Sequence, residues 1–328
     1  MPKTDLNSPI PNPKCQITGV DLSVIVPIYN EEKNIPELHR ELKGALSRAG
    51  HSWELIFVDD GSRDNSLKVL KALKKEYPSD PPIKIVQLSH NFGQHPAVIA
   101  GFSVAKGDTL VAIDADLQTD PVHIVEMMDK IASGHDFVSG IRRGRGDALL
   151  FRRLPSSLLN FLIGAIIGKK LRDYGCPLNA MRAEIAEEMR EYGDMQRFYK
   201  ALAVRLSGNI TEVEVECRQR LWGRSKYNFM KLVDLLFDFV TNFSRRLFQR
   251  IAIVGLGLSS LSIASGIIYL ALRFMFGILH PAPRFMLVVL VCLTFGMQLL
   301  VLGVLGDFVI RIYGKIESGP IYKIKNIW

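Results

Sequence analysis

The chain has 328 residues, enough for one or two domains, and 48% of them are hydrophobic, a high share for a purely soluble protein. Its net charge of +8 is unevenly placed, because eight basic residues between Arg218 and Arg250 stand against only Asp234 and Asp238. No nucleic-acid motif accompanies that stretch and a long apolar run follows it, so it suits anionic lipid headgroups, at about 1 kcal/mol per basic residue, and speaks against a nucleic-acid partner. Cys15, Cys176, Cys217 and Cys292 form no Cys-x-x-Cys pair, which argues against zinc and against a disulfide framework.

Residues 1–20 read as a flexible, proline-containing leader with no apolar secretory segment, which leaves roughly the first 240 residues in the cytoplasm. From there strand, turn and helix alternate. Leu22 to Ile28, Glu54 to Asp59, Ile83 to Leu88 and Thr109 to Asp114 are short, β-branched, nearly continuous apolar runs, the pattern of parallel strands buried on both faces. Helical segments are expected near 33–48, 64–77 and 95–105, so the repeat argues for a doubly wound α/β sheet with right-handed crossovers. Asp120 and Pro121 open a further helix, and Glu212 to Cys217 alternates strictly, as a half-buried strand at a sheet edge does.

Chemistry-bearing residues gather at the carboxyl ends of these strands, where open α/β sheets bind ligands. The first strand ends in Pro27, Tyr29, Asn30 and Glu31; the second in Asp59, Asp60, Gly61 and Ser62; the fourth in Asp114, Ala115, Asp116, Leu117 and Gln118. Taken alone, Asp59 to Ser62 is also an ordinary turn, and Asp114 to Gln118 also suits a solvated strand-to-helix connection. The two carboxylates, in an oxygen-rich and sulfur-free cluster, equally suit a hard cation such as Mg²⁺ or Mn²⁺ bridging a diphosphate. No glycine-rich dinucleotide or P-loop signature follows any strand, so phosphates must be held in another way. His90, His95 and His123 share no helical face and read as turn or surface residues rather than ligands.

Two runs near the carboxyl end exceed the roughly 20 apolar residues a bilayer span requires. In 251–276 the only charge is Arg273, and in 285–310 it is Asp307. Arg245, Arg246 and Arg250 precede the pair while Arg311, Lys315, Lys323 and Lys325 follow it, so a membrane hairpin (249–312) with both flanks and both termini cytoplasmic is expected, ending in a tail over 313–328. Between Tyr227 and Arg245 the polar positions Lys231, Asp234, Asp238, Thr241 and Arg245 recur at helical spacing. An amphipathic helix over 227–248 therefore lies in the membrane interface or packs between subunits.

In this order the motifs resemble family-2 glycosyltransferases, and more narrowly the polyprenyl-phosphate glycosyltransferases. The likeness rests on Val26 to Glu31, Asp59 to Ser62, Asn91 to His95, Asp114 to Gln118, Asp173 to Cys176, Arg220 to Tyr227 and the terminal pair of spans. It implies a GT-A (Rossmann-like, mostly parallel) catalytic domain over 21–226, and inverting transfer from a nucleotide sugar to a polyprenyl phosphate at the cytoplasmic face of the inner membrane. The donor it implies is UDP-linked and carries an aminoarabinose-type, glucosyl or mannosyl group. By that resemblance Pro27, Tyr29, Glu31 and Asp60 line the nucleobase and ribose pocket with Asp59 behind them, and Asp114, Asp116 and Gln118 hold the ion and diphosphate. Arg142 and Arg152 face phosphates, Asp173 orients the sugar or acts as base, and Arg220, Ser225 and Lys226 receive the lipid phosphate. Arg224 stands where many relatives carry an acidic residue. Oligomeric relatives imply a homo-oligomer, dimer or tetramer. Against a processive polysaccharide synthase stand the missing Gln-x-x-Arg-Trp motif and the small number of spans; against a non-enzymatic membrane scaffold stands the full set of acidic motif residues.

Overall fold

In this computed structural model residues 19–48, 50–78, 81–143, 163–164, 167–218, 245–276, 283–316 and 321–328 are described. The sequence-expected strands are present as β1 (Leu22–Ile28), β2 (Trp53–Asp59), β3 (Ile83–Leu88) and β4 (Thr109–Ala112). They are joined by α1 (Ile35–Leu46), α2 (Ser66–Glu76) and α3 (Gln94–Phe102), and the chain continues through α4 (His123–Ala132) and β5 (Phe137–Arg143). Then come β6 (Asn179–Arg182), α5 (Ala183–Met189), a 3-10 segment (Arg190–Phe198), α6 (Tyr199–Leu206) and β7 (Ile210–Glu216). Pro27 lies inside β1 rather than closing it, and the fourth strand stops at Ala112, so Ile113 and Asp114 belong to the loop.

One eight-stranded sheet takes the order β7-β5-β6-β4-β1-β2-β3-β8. β1 to β4 pair in parallel; β6 runs antiparallel between β4 and β5, with Asn179 beside Ala112. Alternation along β1 divides the core: Val24 and Val26 face α1, α2 and α4, while Ile25 faces α3, α5 and α6. Ile35, Leu38, Leu42 and Leu46 form the buried stripe of α1 at helical spacing. Each such side chain contributes about 1.5–3 kcal/mol on burial, which offsets the backbone entropy of ordering the helix, so Leu42→Ala should cost about 2–5 kcal/mol. On the other face every residue of α3 from Pro96 to Phe102 is buried. Gly101 makes that possible: a Cβ there would stand 2.4 Å from the Ile25 Cγ2.

The carboxyl-terminal helices are α7 (Arg245–Phe276) and α8 (Pro283–Ile316), and each contains a stretch long and apolar enough to cross a membrane, Phe248–Met275 and Pro283–Val309. They pack through small residues, since a Cβ on Gly255 would lie 2.4 Å from the Leu300 backbone N and one on Gly303 2.5 Å from that of Ala252. Ile253, Leu256, Val288 and Leu302 point outward. Asp307, the sole charge of its apolar run, accepts from the Gln249 amide at 3.3 Å.

The last residues are not a free tail. Ile324–Ile327 form β8, antiparallel to β3, and the Trp328 backbone exchanges hydrogen bonds with Ile85 at 2.9 and 3.0 Å. Ser89 N–H donates to the Lys323 carbonyl at 2.9 Å, and Ile321 is buried against the α3 face. A chain that leaves the sheet for two long apolar helices thus comes back to the same sheet.

Candidate active site

The loops after β1 and β2 are laced together. Asn30 adopts φ 57°, a left-handed conformation that Asn tolerates better than most side chains. Its amide oxygen accepts from Arg63 N–H at 2.8 Å, and its own N–H donates to Ser62 Oγ at 3.1 Å. Glu31 N–H donates to Ser66 Oγ at 2.9 Å and its carboxylate accepts from the Asn34 amide at 2.6 Å, while Tyr29 and Pro27 remain half-buried at the rim. Asp59 is buried and accepts from Ser62 N–H at 3.2 Å; burial raises its pKa.

Asp60 reaches farther. Its two oxygens accept from the backbone N–H groups of Phe92 (2.7 Å) and Gly93 (2.8 Å), so this carboxylate organises the β3–α3 loop. Burial, helped by the charge of Asp59, pushes it up to about 6, with the two N–H donors and His90 opposing. Gly61, at φ 67°, lets the two loops touch, for a Cβ there would lie 2.7 Å from the His90 carbonyl carbon. From this loop the Gln94 amide donates to the Asp114 carboxylate.

Asp114 is half-buried and Asp116 only 8% exposed. Between Asp116 and Gln118, Leu117 stands at φ 58°, a strained conformation for a leucine and one that concentrates at functional turns. Gln118 N–H donates to Asp116 Oδ1 at 3.2 Å. The far side of the turn is sewn to the end of β7: Thr119 bridges Cys217, and Arg218 N–H donates to the Gln118 carbonyl at 2.8 Å. Among the described residues no set of three His, Cys, Asp or Glu side chains forms a closed metal cage. Two carboxylates on an open turn nevertheless fit a hard divalent ion, which takes one or two carboxylates and completes its shell with water and phosphate oxygens.

The other half of the site comes from β5 and the segment leading into β6. Arg142 donates to Asp173 through Nε (2.7 Å) and Nη2 (2.8 Å), a two-pronged pair, and Gly175 N–H donates to the same carboxylate at 2.9 Å. Gly175 lets the turn approach the fork closely, since a Cβ there would lie 2.6 Å from Arg142 Nη2 and displace the guanidinium. Burial disfavours charge on Asp173, but the Arg142 fork, Lys200 and the Gly175 amide outweigh it and hold its pKa below the usual range. Burial likewise opposes the guanidinium, and Asp173 more than compensates.

Between the halves lies a polar cluster. The Tyr199 hydroxyl accepts from the Asn179 amide at 3.3 Å, and its pKa is raised by burial and by the charge of Asp114. His95 lies against the Tyr199 ring with centroids 5.4 Å apart, and burial lowers it to about 4, so it is neutral at pH 7. This corrects the sequence reading of His95 as a turn or surface residue: it is part of a helix and its Nδ1 is enclosed, without a partner among the described residues. His123 accepts from Glu216 N–H at 3.2 Å.

Residues 23–190 match the model of glycosyl transferase family 2. The chain belongs to this family. Over 307 residues, 93% of this chain, it is 36% identical to the undecaprenyl-phosphate 4-deoxy-4-formamido-L-arabinose transferase of Shewanella sediminis, of which it covers 92%. It is 34% identical, again over 93% of its length, to the enzymes of the same name from Pseudomonas fluorescens and Klebsiella pneumoniae, covering 90% and 93% of them. In fold it is similar to glucosyl-3-phosphoglycerate synthase from Mycobacterium tuberculosis, solved with phosphoglyceric acid, at TM-score 0.50 and 17% identity over 69% of this chain and 80% of that one. The protein is a family-2 glycosyltransferase with a GT-A sheet.

In this transferase the sequence-selected Tyr29, Glu31, Asp60, Asp114, Asp116 and Gln118 fall on loops at the carboxyl edge of β1, β2 and β4, while Pro27 and Asp59 lie within the last two residues of β1 and β2. Arg142 and Asp173 are brought together, and Asn179, beside the end of β4, connects them to that edge. Arg152, Arg220, Ser225 and Lys226, with the amphipathic segment up to 244, lie outside the described residues. Sequence reasoning passed over Gln94, Asn179, Tyr199 and Lys200. Gln94 sat in a motif already singled out, whereas α6 carries no signal beyond a tyrosine and a lysine opening a short helix that also holds Arg205.

Proposed function

We propose that this glycosyltransferase moves a sugar from a nucleotide diphosphate, UDP-linked, to a polyprenyl phosphate at the membrane surface, giving a polyprenyl-phosphate-linked monosaccharide. The observation that carries this reading is the seam between the Asp114–Gln118 turn and β7. Arg218, hydrogen-bonded to Gln118, stands two residues before the Arg220-to-Lys226 stretch of cations and a hydroxyl that suits a phosphate monoester. The two apolar helices come next after the 227–248 segment, and the far end returns to the sheet as β8, which supports both helix ends lying on the catalytic side, the cytoplasmic one by the basic flanks. The similarity to undecaprenyl-phosphate transferases extends over 93% of the chain, hairpin included, and supports the same acceptor class.

In this scheme an acceptor phosphate oxygen attacks the anomeric carbon as the bond from that carbon to the diphosphate breaks, and the configuration inverts. A phosphate monoester with a second pKa of about 6 is already ionised at neutral pH, so no strong base is required. Asp173 is accordingly an orienting group. Its oxygens are engaged by Arg142 and Gly175, its pKa is held low, and its work is to aim the guanidinium at phosphate. Tyr29 and Glu31 border the nucleobase side, while Asp60 shapes the loop that delivers Gln94 to Asp114. Asp114 and Asp116, with Gln118, would hold a divalent ion, Mg²⁺ or Mn²⁺, that neutralises the departing nucleoside diphosphate. The interface helix expected over 227–248 would bring the lipid phosphate in or join subunits of a homo-oligomer.

The test incubates membranes containing the protein with undecaprenyl phosphate and a panel of nucleotide sugars, with and without EDTA, and reads lipid products by mass spectrometry. One EDTA-sensitive lipid-linked sugar is expected; no product from any donor would overturn the reading.

A further inference from the structure

The first turn of α6 carries a lysine that none of the chemistry above uses. Lys200 is 5% exposed, and its ammonium donates to two backbone carbonyls, those of Asp173 at 2.8 Å and Cys176 at 3.1 Å. An ammonium in a core is costly to desolvate, and an apolar side chain of similar length would fill the space without that cost. Its contacts identify what it does there. The Asp173 and Cys176 carbonyls bracket the turn whose Gly175 N–H and Asp173 carboxylate form the cradle for Arg142. The Asn179 amide secures the same turn from the other side, donating to the carbonyls of Cys176 (3.2 Å) and Pro177 (3.0 Å). Asn179 also reaches the hydroxyl of Tyr199, the residue next to Lys200, whose ring lies against His95.

We propose that Lys200 is a positioning residue for the acceptor half of the reaction: its ammonium fixes the 173–176 turn in the shape that presents the Asp173 carboxylate to Arg142. Adjacent residues of one helical turn then serve both halves of the site, Tyr199 on the Asp114 side and Lys200 on the Asp173 side. The proposal rests on the transferase reading for its kinetics and not for its geometry. Burial brings the ammonium down to about 8, and the ionisable groups facing it are Asp173, Arg142, Glu212, the Cys176 thiol and neutral His95. Of these the thiol, pushed up to about 11 by burial, stays neutral through pH 9, so an alkaline change near pH 8 belongs to Lys200.

The experiment uses the full-length protein in lipid nanodiscs and the variants K200M, D173A and the double variant. Expected for K200M is a loss of more than tenfold in kcat/KM for polyprenyl phosphate, with UDP affinity within twofold of wild type. D173A and the double variant should then differ by less than twofold, because Lys200 acts through Asp173. The alkaline fall in wild-type turnover near pH 8 should be missing in K200M. Hydrogen exchange supplies a readout independent of turnover: backbone amides of 173–176 should exchange faster in K200M while those of β1 and β2 do not change. If K200M does not fold, K200L, likewise without a donor, is judged by the same criteria. Wild-type kinetics in K200M, losses additive with D173A, or unchanged exchange over 173–176 would each overturn the proposal. Absence of any lipid product in the wild type would overturn the transferase reading and leave the exchange result to decide on Lys200.

Discussion

Asp60 and Asp173 are both carboxylates at the ligand-binding edge of one sheet, both withdrawn from solvent and both bonded to backbone N–H groups, yet their pKa values move in opposite directions. The difference is an arginine. Around Asp60 there are amide dipoles and no guanidinium, so burial prevails and the proton is retained to about pH 6. Around Asp173 the two-pronged Arg142 contact, backed by Lys200, reverses the balance. One carboxylate is scaffolding for a loop; the other is one member of an ion pair that holds a guanidinium in place. The same residue type is thus fitted to two tasks by its surroundings.

The largest expected effect comes from the carboxylate that belongs to neither pattern. Asp116→Asn should abolish turnover, by about a thousandfold or more in a site that depends on neutralising the leaving group, with the melting temperature retained. Unchanged product formation would place the ion elsewhere and remove the basis for a donor half built on Asp114 and Asp116. Next comes Asp173→Asn, which leaves a buried guanidinium with a poorer partner and should lower kcat by roughly a hundredfold while UDP binding, read by calorimetry, stays unchanged. A drop in UDP affinity of similar size would show that the two halves are not separable. Asp60→Asn should act the other way round. An amide oxygen can accept from only part of the Phe92 and Gly93 pair while its NH₂ opposes the rest, so the β3–α3 loop loosens and nucleotide affinity falls by about tenfold. Acceptor KM should not move; if it does, the loop serves more than the donor.

Much of this arrangement was legible in the chain, and the parts that were not share a physical cause. Strands β1 to β4 announce themselves because burial on both faces forces continuous apolar runs, and the acidic turns follow them at once in sequence. β7 shows in the alternation of Glu212, Glu214 and Glu216 with Val213 and Val215. By contrast β6 is four residues long, and β8 lies beyond two apolar helices with only Ile, Lys and Asn to mark it. Neither has a local pattern, for each exists only because an existing edge or gap supplies its hydrogen bonds. Asp173 was legible as part of a motif and Arg142 as one of several basic residues implied to face phosphates, but the fork between them was not, since contact across 31 positions is set by the antiparallel placement of β6. Lys200 was invisible for a related reason: a lysine in an apolar helix looks like a solvated position until the carbonyls that surround it are known.

The smallest effect gives the most direct measure of the opening contrast. Because Asp60 titrates near 6 in the folded chain against an ordinary value of 3.8, folding retains a proton that the unfolded chain has released above about pH 4. The stability this brings is complete below about pH 4, declines as pH rises and is gone above about 6. Asp173 has the opposite sign. Its folded value lies below 3.8, so its contribution is present throughout pH 5 to 7 and fades only as pH falls through that lower value. Melting curves of the ligand-free protein at pH 5 and pH 7 should therefore show wild type gaining on Asp60→Asn by about 2–4 °C on acidification, equivalent to about 1 kcal/mol. The margin between wild type and Asp173→Asn should stay flat over the same interval. A flat margin for Asp60→Asn as well would mean that the Phe92 and Gly93 amides, rather than burial, set the ionisation of that carboxylate, and the two halves of the site would then differ in geometry alone.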